Sequence, residues 1–176
     1  YSFSLTLDQL LAEKLKKSDE LDDVRIKQLK KLSDEGKLKA RAMEWLMGRP
    51  HSTREFRDYM FKKQAEKDLT EAWVLEFTDK KLLDDGAFAL WFAENRRRKN
   101  KSTREITSEL YAKGIAKQHI EYAIAQFDTS DEDALRVLVA KLKTRSRYAD
   151  EEKLKRYLVS KGFSYDAIKT VLANED

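Results

Sequence analysis

Arg96, Arg97, Arg98, Lys99 and Lys101 form a nearly uninterrupted run of cations, and Lys141, Lys143, Arg145 and Arg147 form a second. The chemistry open to such runs is electrostatic, holding the phosphates of a nucleic acid or the carboxylates of an acidic protein. Solvated cations at a helix C-terminus, where they favour the macrodipole, give the same pattern without a partner. The formal net charge of +4 and the pI near 9.0 are modest, so the grouping says more than the total. Tyr111 and Tyr148 add aromatic rings that could stack on bases, or pack against the core with the hydroxyl in water.

Other chemistry has little material. Five glycines leave none of the glycine-rich loops that cradle nucleotide phosphates. The absence of cysteine excludes disulfides, thiolate nucleophiles and cysteine zinc sites, and suits a reducing cytoplasm. His51 and His119 are the only histidines, and each lacks a cysteine, nucleophile or second ligand at a working spacing. His51 reads as a loop residue and His119 as a surface helix residue. Asp84 and Asp85 could bind a metal or exchange protons, but acidic pairs before an apolar run are typical helix caps. The expectation is no enzyme and no cofactor. The longest apolar run, residues 87–93, is too short to span a bilayer, and no signal peptide opens the chain, so no membrane partner is expected. Tyr1, rather than Met, stands first, as in a chain that begins inside a longer protein.

The elements that must position these cations are written as a repeat. Ser102, Thr103, Arg104 and Glu105 restate Ser52, Thr53, Arg54 and Glu55, and Phe127 answers Phe77 at the same offset of fifty residues. Leu110, Lys113, Gly114, Ile115, Ile120 and Ile124 return forty-eight residues later as Leu158, Lys161, Gly162, Phe163, Ile168 and Leu172. Periods of this size mark tandem supersecondary units. With 39% charged residues, a mean hydropathy of −0.74 and one proline, those units are helical.

Tyr1, Phe3, Leu5 and Leu7 alternate with polar residues, predicting a strand paired upstream or a staple onto the first helix. Thr6 and Gln9 have capping-box spacing for a helix ending near Lys17, with Leu7, Leu10, Leu11 and Leu15 on one face. Asp22 caps a second helix with Ile26, Leu29 and Leu32 buried, closed by Gly36 in the left-handed conformation. The first repeat opens with Leu38, Ala42, Trp45 and Leu46, and its helix stops at Gly48 and Pro50. Ser52 with Glu55 makes a capping box, and Phe56, Tyr59, Met60, Leu69, Trp73, Val74 and Phe77 are its core. Phe88, Ala89, Phe92, Ile106, Leu110, Ile120, Ala123, Ile124 and Phe127 serve the second repeat. Leu135, Leu138, Val139, Leu142, Leu154, Tyr157, Leu158, Ile168, Val171 and Leu172 serve the third. Gly114 and Gly162 suit Schellman turns that fold Ile115 and Phe163 back onto Leu110 and Leu158. Gln64 stands where the first repeat would have that glycine, which predicts an irregular turn there.

The expected fold is therefore all-α. Three tandem three-helix, helix-turn-helix-like repeats, at 38–82, 83–129 and 130–176, form an elongated curved array after a strand-like and helical segment at 1–37.

These residues resemble the RecX family of bacterial recombinase regulators. The resemblance is carried by Leu83, Asp84, Asp85, Phe88 and Ala89, by Glu109, Leu110, Lys113, Gly114 and Ile115, and by Tyr157, Leu158, Lys161, Gly162 and Phe163. Arg49, Ser52, Glu55 and Phe56 resemble the family's opening repeat, with Phe where Leu is usual. It covers the chain from about residue 38 onward. The resemblance implies three three-helix modules that dock along the groove of a RecA filament on DNA and suppress ATP hydrolysis, strand exchange and coprotease activity, tempering the SOS response. On that reading the chain is a monomer whose contacts to the RecA filament or DNA are Arg96, Arg97, Arg98, Lys99, Lys101, Arg145, Arg147 and Lys161. A direct DNA binder and a passive helical scaffold are the competing readings.

Overall fold

Thr6 begins the first helix by accepting the Gln9 N–H on its hydroxyl, while Gln9 Oε1 accepts the Thr6 N–H in return. The computed structural model describes residues 3–16 and 19–174, and no strand occurs among the described residues. Tyr1 lies outside them, whereas the first helix, expected to end near Lys17, already stops at Ala12. The chain forms two compact units, Tyr1–Arg49 and Pro50–Asp176.

The first unit holds α1 (Leu7–Ala12) and α2 (Asp23–Met47). The expected strand is instead an extended lead tied down by the Ser33 hydroxyl, which donates to the Ser4 carbonyl at 2.6 Å. The expected apolar face of α1 is not buried: Leu7, Leu10 and Leu11 are exposed. Polar groups attach α1 to α2 instead. Gln9 Nε2 donates to the Leu32 carbonyl at 2.9 Å, and Glu13 pairs with Arg25 at 2.7 Å. Asp22 caps α2 as expected, accepting the Arg25 N–H at 2.7 Å. Gly36 does not end it. The helix runs on to Met47, and a Cβ at Gly36 would lie 2.8 Å from Gln9 Nε2. Glycine is placed there for close approach of the Gln9 side chain, not for positive φ.

The second unit contains α3 (Thr53–Lys62), α4 (Lys67–Asp79), α5 (Asp85–Arg97), α6 (Thr103–Ala112), α7 (Lys117–Ala125), α8 (Asp131–Lys143), a 3₁₀ turn at Ser146–Tyr148, α9 (Glu151–Ser160) and α10 (Tyr165–Ala173). Short amphipathic helices of this length are marginal alone, so packing has to hold them. Phe56 of α3 meets Phe77 of α4 edge to face at 5.6 Å. Phe88, Phe92, Ile106, Leu110, Ile115 and Ile120 close a core among α5, α6 and α7. Leu135, Val139, Leu142, Leu154, Leu158, Phe163 and Ile168 close another among α8, α9 and α10. Fully burying each such side chain contributes roughly 1.5–3 kcal/mol, which is what offsets the ordering of each module.

The turns that join α3 to α4, α6 to α7 and α9 to α10 share one hydrogen-bond pattern. The N–H of Ala65, Ile115 and Phe163 donates to the carbonyl of Met60, Leu110 and Leu158. The irregular turn expected at Gln64 is absent: Gln64 takes φ +57° and the same bonds form. Glutamine is tolerated because that position is exposed. At Gly114 a Cβ would sit 3.1 Å from Arg54 Cβ, and at Gly162 it would sit 2.7 Å from Ser102 Oγ. At two of the three turns the preceding repeat therefore lies close against the glycine, crowding a Cβ at Gly114 and leaving no room for one at Gly162 without a shift.

Candidate functional site

The Ser-Thr-Arg-Glu string is both a helix cap and one side of a junction between repeats. Ser52 Oγ accepts the Glu55 N–H at 3.1 Å and donates to the Lys113 carbonyl at 3.1 Å. Ser102 Oγ accepts the Glu105 N–H at 3.1 Å and donates to the Lys161 carbonyl at 2.6 Å. The first helix of the following module joins in. Thr53 N–H donates to Asp85 Oδ1 at 2.7 Å, and Thr103 N–H to Asp131 Oδ1 at 2.9 Å. Asp84 caps α5 through the Gly86 and Ala87 N–H groups, so the acidic pair is divided between its own helix and its neighbour's.

The glutamates of the string bind lysines. Glu55 Oε1 lies 2.6 Å from Lys113 Nζ, and Glu55 Oε2 lies 3.2 Å from His51 Nδ1. His51 is a loop residue as expected, but it is buried at 4% exposure against the first junction. Glu105 Oε1 takes Lys101 Nζ at 2.5 Å and Lys161 Nζ at 3.8 Å. His119 is half-buried on α7, its ring 3.2 Å from where Gly86 would carry a Cβ.

The eight candidate cations separate into two groups. Arg97 is an internal strut: its side chain is 10% exposed, and its guanidinium donates to Thr103 Oγ1 at 2.7 Å, Asp131 Oδ1 at 2.8 Å and the Lys101 carbonyl at 3.1 Å. It also covers the Phe127 ring at 4.3 Å. Arg96 pairs with Glu109 at 2.6 Å over the Phe92 ring. Lys101 and Lys161 serve Glu105, as above. Arg98, Lys99, Arg145 and Arg147 face solvent; Arg98 reaches Glu94 at only 3.5 Å, and Arg147 lies 5.7 Å from the Tyr148 ring. Arg98 also lines a groove of about 430 Å³ between the end of α5 and α8, with Phe127, Val137, Asp128 and Asp133. Tyr148 packs on Tyr157 at 5.0 Å, whereas Tyr111 is about half exposed.

Two cations that the clusters do not include also face solvent. Arg54 and Arg104 are exposed, and neither makes an ion pair or side-chain hydrogen bond among the described residues. The signal for them was present in the sequence. A cap requires the serine of the repeated string and benefits from the glutamate, but nothing in capping requires arginine between them.

Residues 84–124 match the family model for the second three-helix domain of RecX, and residues 130–172 match that for the third. The regulatory protein RecX of Bacillus pumilus is 33% identical over 178 residues, covering 98% of this chain and 68% of that protein. The chain belongs to the RecX family. RecX of Bacillus subtilis is 30% identical over 98% of the chain and 68% of its own length. A crystal structure of a RecX regulatory protein superposes with a TM-score of 0.74 at 23% identity, covering 98% of this chain and 90% of that one. RecX from Lactobacillus salivarius gives a TM-score of 0.64 at 24% identity, over 80% and 96%. These likenesses fit an all-α chain of three-helix repeats, and they place it among regulatory proteins. No helix among the described residues is long and apolar enough to cross a membrane.

Proposed function

We propose that this chain binds the RecA filament on DNA and lowers its ATP hydrolysis, strand exchange and coprotease activity, tempering recombination and the SOS response. Membership of a family of regulatory proteins carries the reading. The exposed cations Arg98, Lys99, Arg145 and Arg147 support it, since they stand on successive modules of the proposed series 38–82, 83–129 and 130–176. The protein acts by occupying a surface, as a monomer and without a cofactor. DNA-dependent ATP hydrolysis by the cognate RecA, titrated with this chain, is the test. Inhibition at substoichiometric to equimolar amounts is expected, and unchanged hydrolysis overturns the proposal.

The same four cations also favour a second reading, direct DNA binding. Neutralising about four phosphates gives a log-log salt slope near −3.6, a loss on the order of 150-fold between 50 and 200 mM salt. That dependence, undiminished without RecA, would replace the first reading with the second.

A further inference from the structure

The string written twice has one residue without an internal task. Ser, Thr and Glu are consumed by the caps and junctions, whereas the guanidiniums of Arg54 and Arg104 are exposed and bonded to nothing among the described residues. Their stems are nevertheless held. Arg54 Cβ and Cδ lie 3.1 and 3.2 Å from where Gly114 would carry a Cβ, and Arg104 Cβ lies 3.3 Å from the same point at Gly162. An arginine whose stem is already packed loses less freedom when its head binds.

Each stem lies over a turn that an exposed apolar residue leads into. The Tyr111 carbonyl accepts the Gly114 N–H at 2.9 Å, and the Val159 carbonyl accepts the Gly162 N–H at 2.9 Å. Tyr111 and Val159 are both 49% exposed. An arginine stem of one repeat thus packs over a turn of the next whose helix carries an exposed apolar residue three positions before the glycine, and the combination occurs at two successive junctions.

We propose that these are two copies of one docking site, Arg54 with Tyr111 and Arg104 with Val159. Its partner is a protein polymer of identical subunits that offers a carboxylate beside an apolar patch at each step. The inference rests on the filament reading above and names the residues that read it. A planar guanidinium pairs bidentately with a carboxylate, and arginine with aromatic or aliphatic neighbours is the composition of protein interfaces. Single-stranded nucleic acid fits less well, because stacking needs a π-face at each site and Val159 has none. Duplication on consecutive repeats matches a partner whose surface itself repeats, and two linked contacts reinforce each other.

The test measures affinity of the wild type, Arg54→Gln, Arg104→Gln and the double variant for the RecA filament on single-stranded DNA, and for the same DNA alone. Glutamine keeps the stem carbons that lie over the glycines and replaces the charged guanidinium with a neutral carboxamide, so thermal unfolding serves as an unchanged control. Each single variant is expected to bind the filament about 10-fold more weakly, and the pair about 100-fold, with DNA affinity nearly constant. Tyr111→Ala, on the other half of the first site, is expected to lose about fivefold. A double variant that binds the filament as the wild type does overturns the inference alone. Equal losses on bare DNA also overturn it, by assigning the arginines to nucleic acid. A wild type that fails to bind the filament removes the filament reading and this inference together.

Discussion

Arg97 and Arg98 are adjacent in the sequence and have opposite fates. Arg97 is held by Thr103, Asp131 and the Lys101 carbonyl, so Arg97→Ala removes a nearly buried guanidinium from a carboxylate that is one-third exposed and still bonded to Thr103, and should cost about 2 kcal/mol in urea unfolding. Arg98→Glu should leave unfolding unchanged while weakening inhibition of RecA hydrolysis, since its guanidinium is open to solvent. A cationic run read along the sequence shows charge but not which helix face each charge takes, and here the acids that capture Arg96, Arg97 and Lys101 come from Glu109, Asp131 and Glu105. Ser102 is legible as a cap from its spacing to Glu105. Its second bond, to the Lys161 carbonyl, depends on a residue fifty-nine positions away and is not. Ser102→Ala removes both and should cost about 2 kcal/mol, checked by chemical unfolding.

At the scale of the element, apolar spacing made the helices and cores of the second and third repeats legible, because buried residues recur on one face. Gly36 and Gln64 misled for a common reason. A glycine signals either positive φ or close approach, and only the neighbour decides which: Gln9 at Gly36, and the preceding cap at Gly114 and Gly162. Gly162→Ala should therefore destabilise by more than the roughly 1–2 kcal/mol of a left-handed residue, whereas Gln64→Gly should stabilise by up to about 1 kcal/mol. Helix α8 also has a pH limit. The Ser130 hydroxyl, then its backbone N–H, draws the Asp133 carboxyl below its ordinary range. A depressed carboxyl stabilises the fold above its unfolded pKa, and the contribution is lost as pH falls from the ordinary carboxyl range through the lower folded value. Amide exchange in the first turn of α8 should accelerate at that point, and Asp133→Asn should abolish the step.

For the whole molecule, residues 50–176 form one compact unit in which each module's cap is tied to the next module's turn. Expressed alone, that segment should retain helical circular dichroism and unfold in a single cooperative transition; separate transitions for α5–α7 and α8–α10 would show the junctions to be weak. The direction of the ties has a consequence for biosynthesis. Ser52 awaits the carbonyl of Lys113, and Ser102 awaits that of Lys161, so each repeat leaves the ribosome with its closing contact still unmade. The cap that opens the first repeat's short helices stays provisional until the second repeat has been translated, and that of the second until the third has.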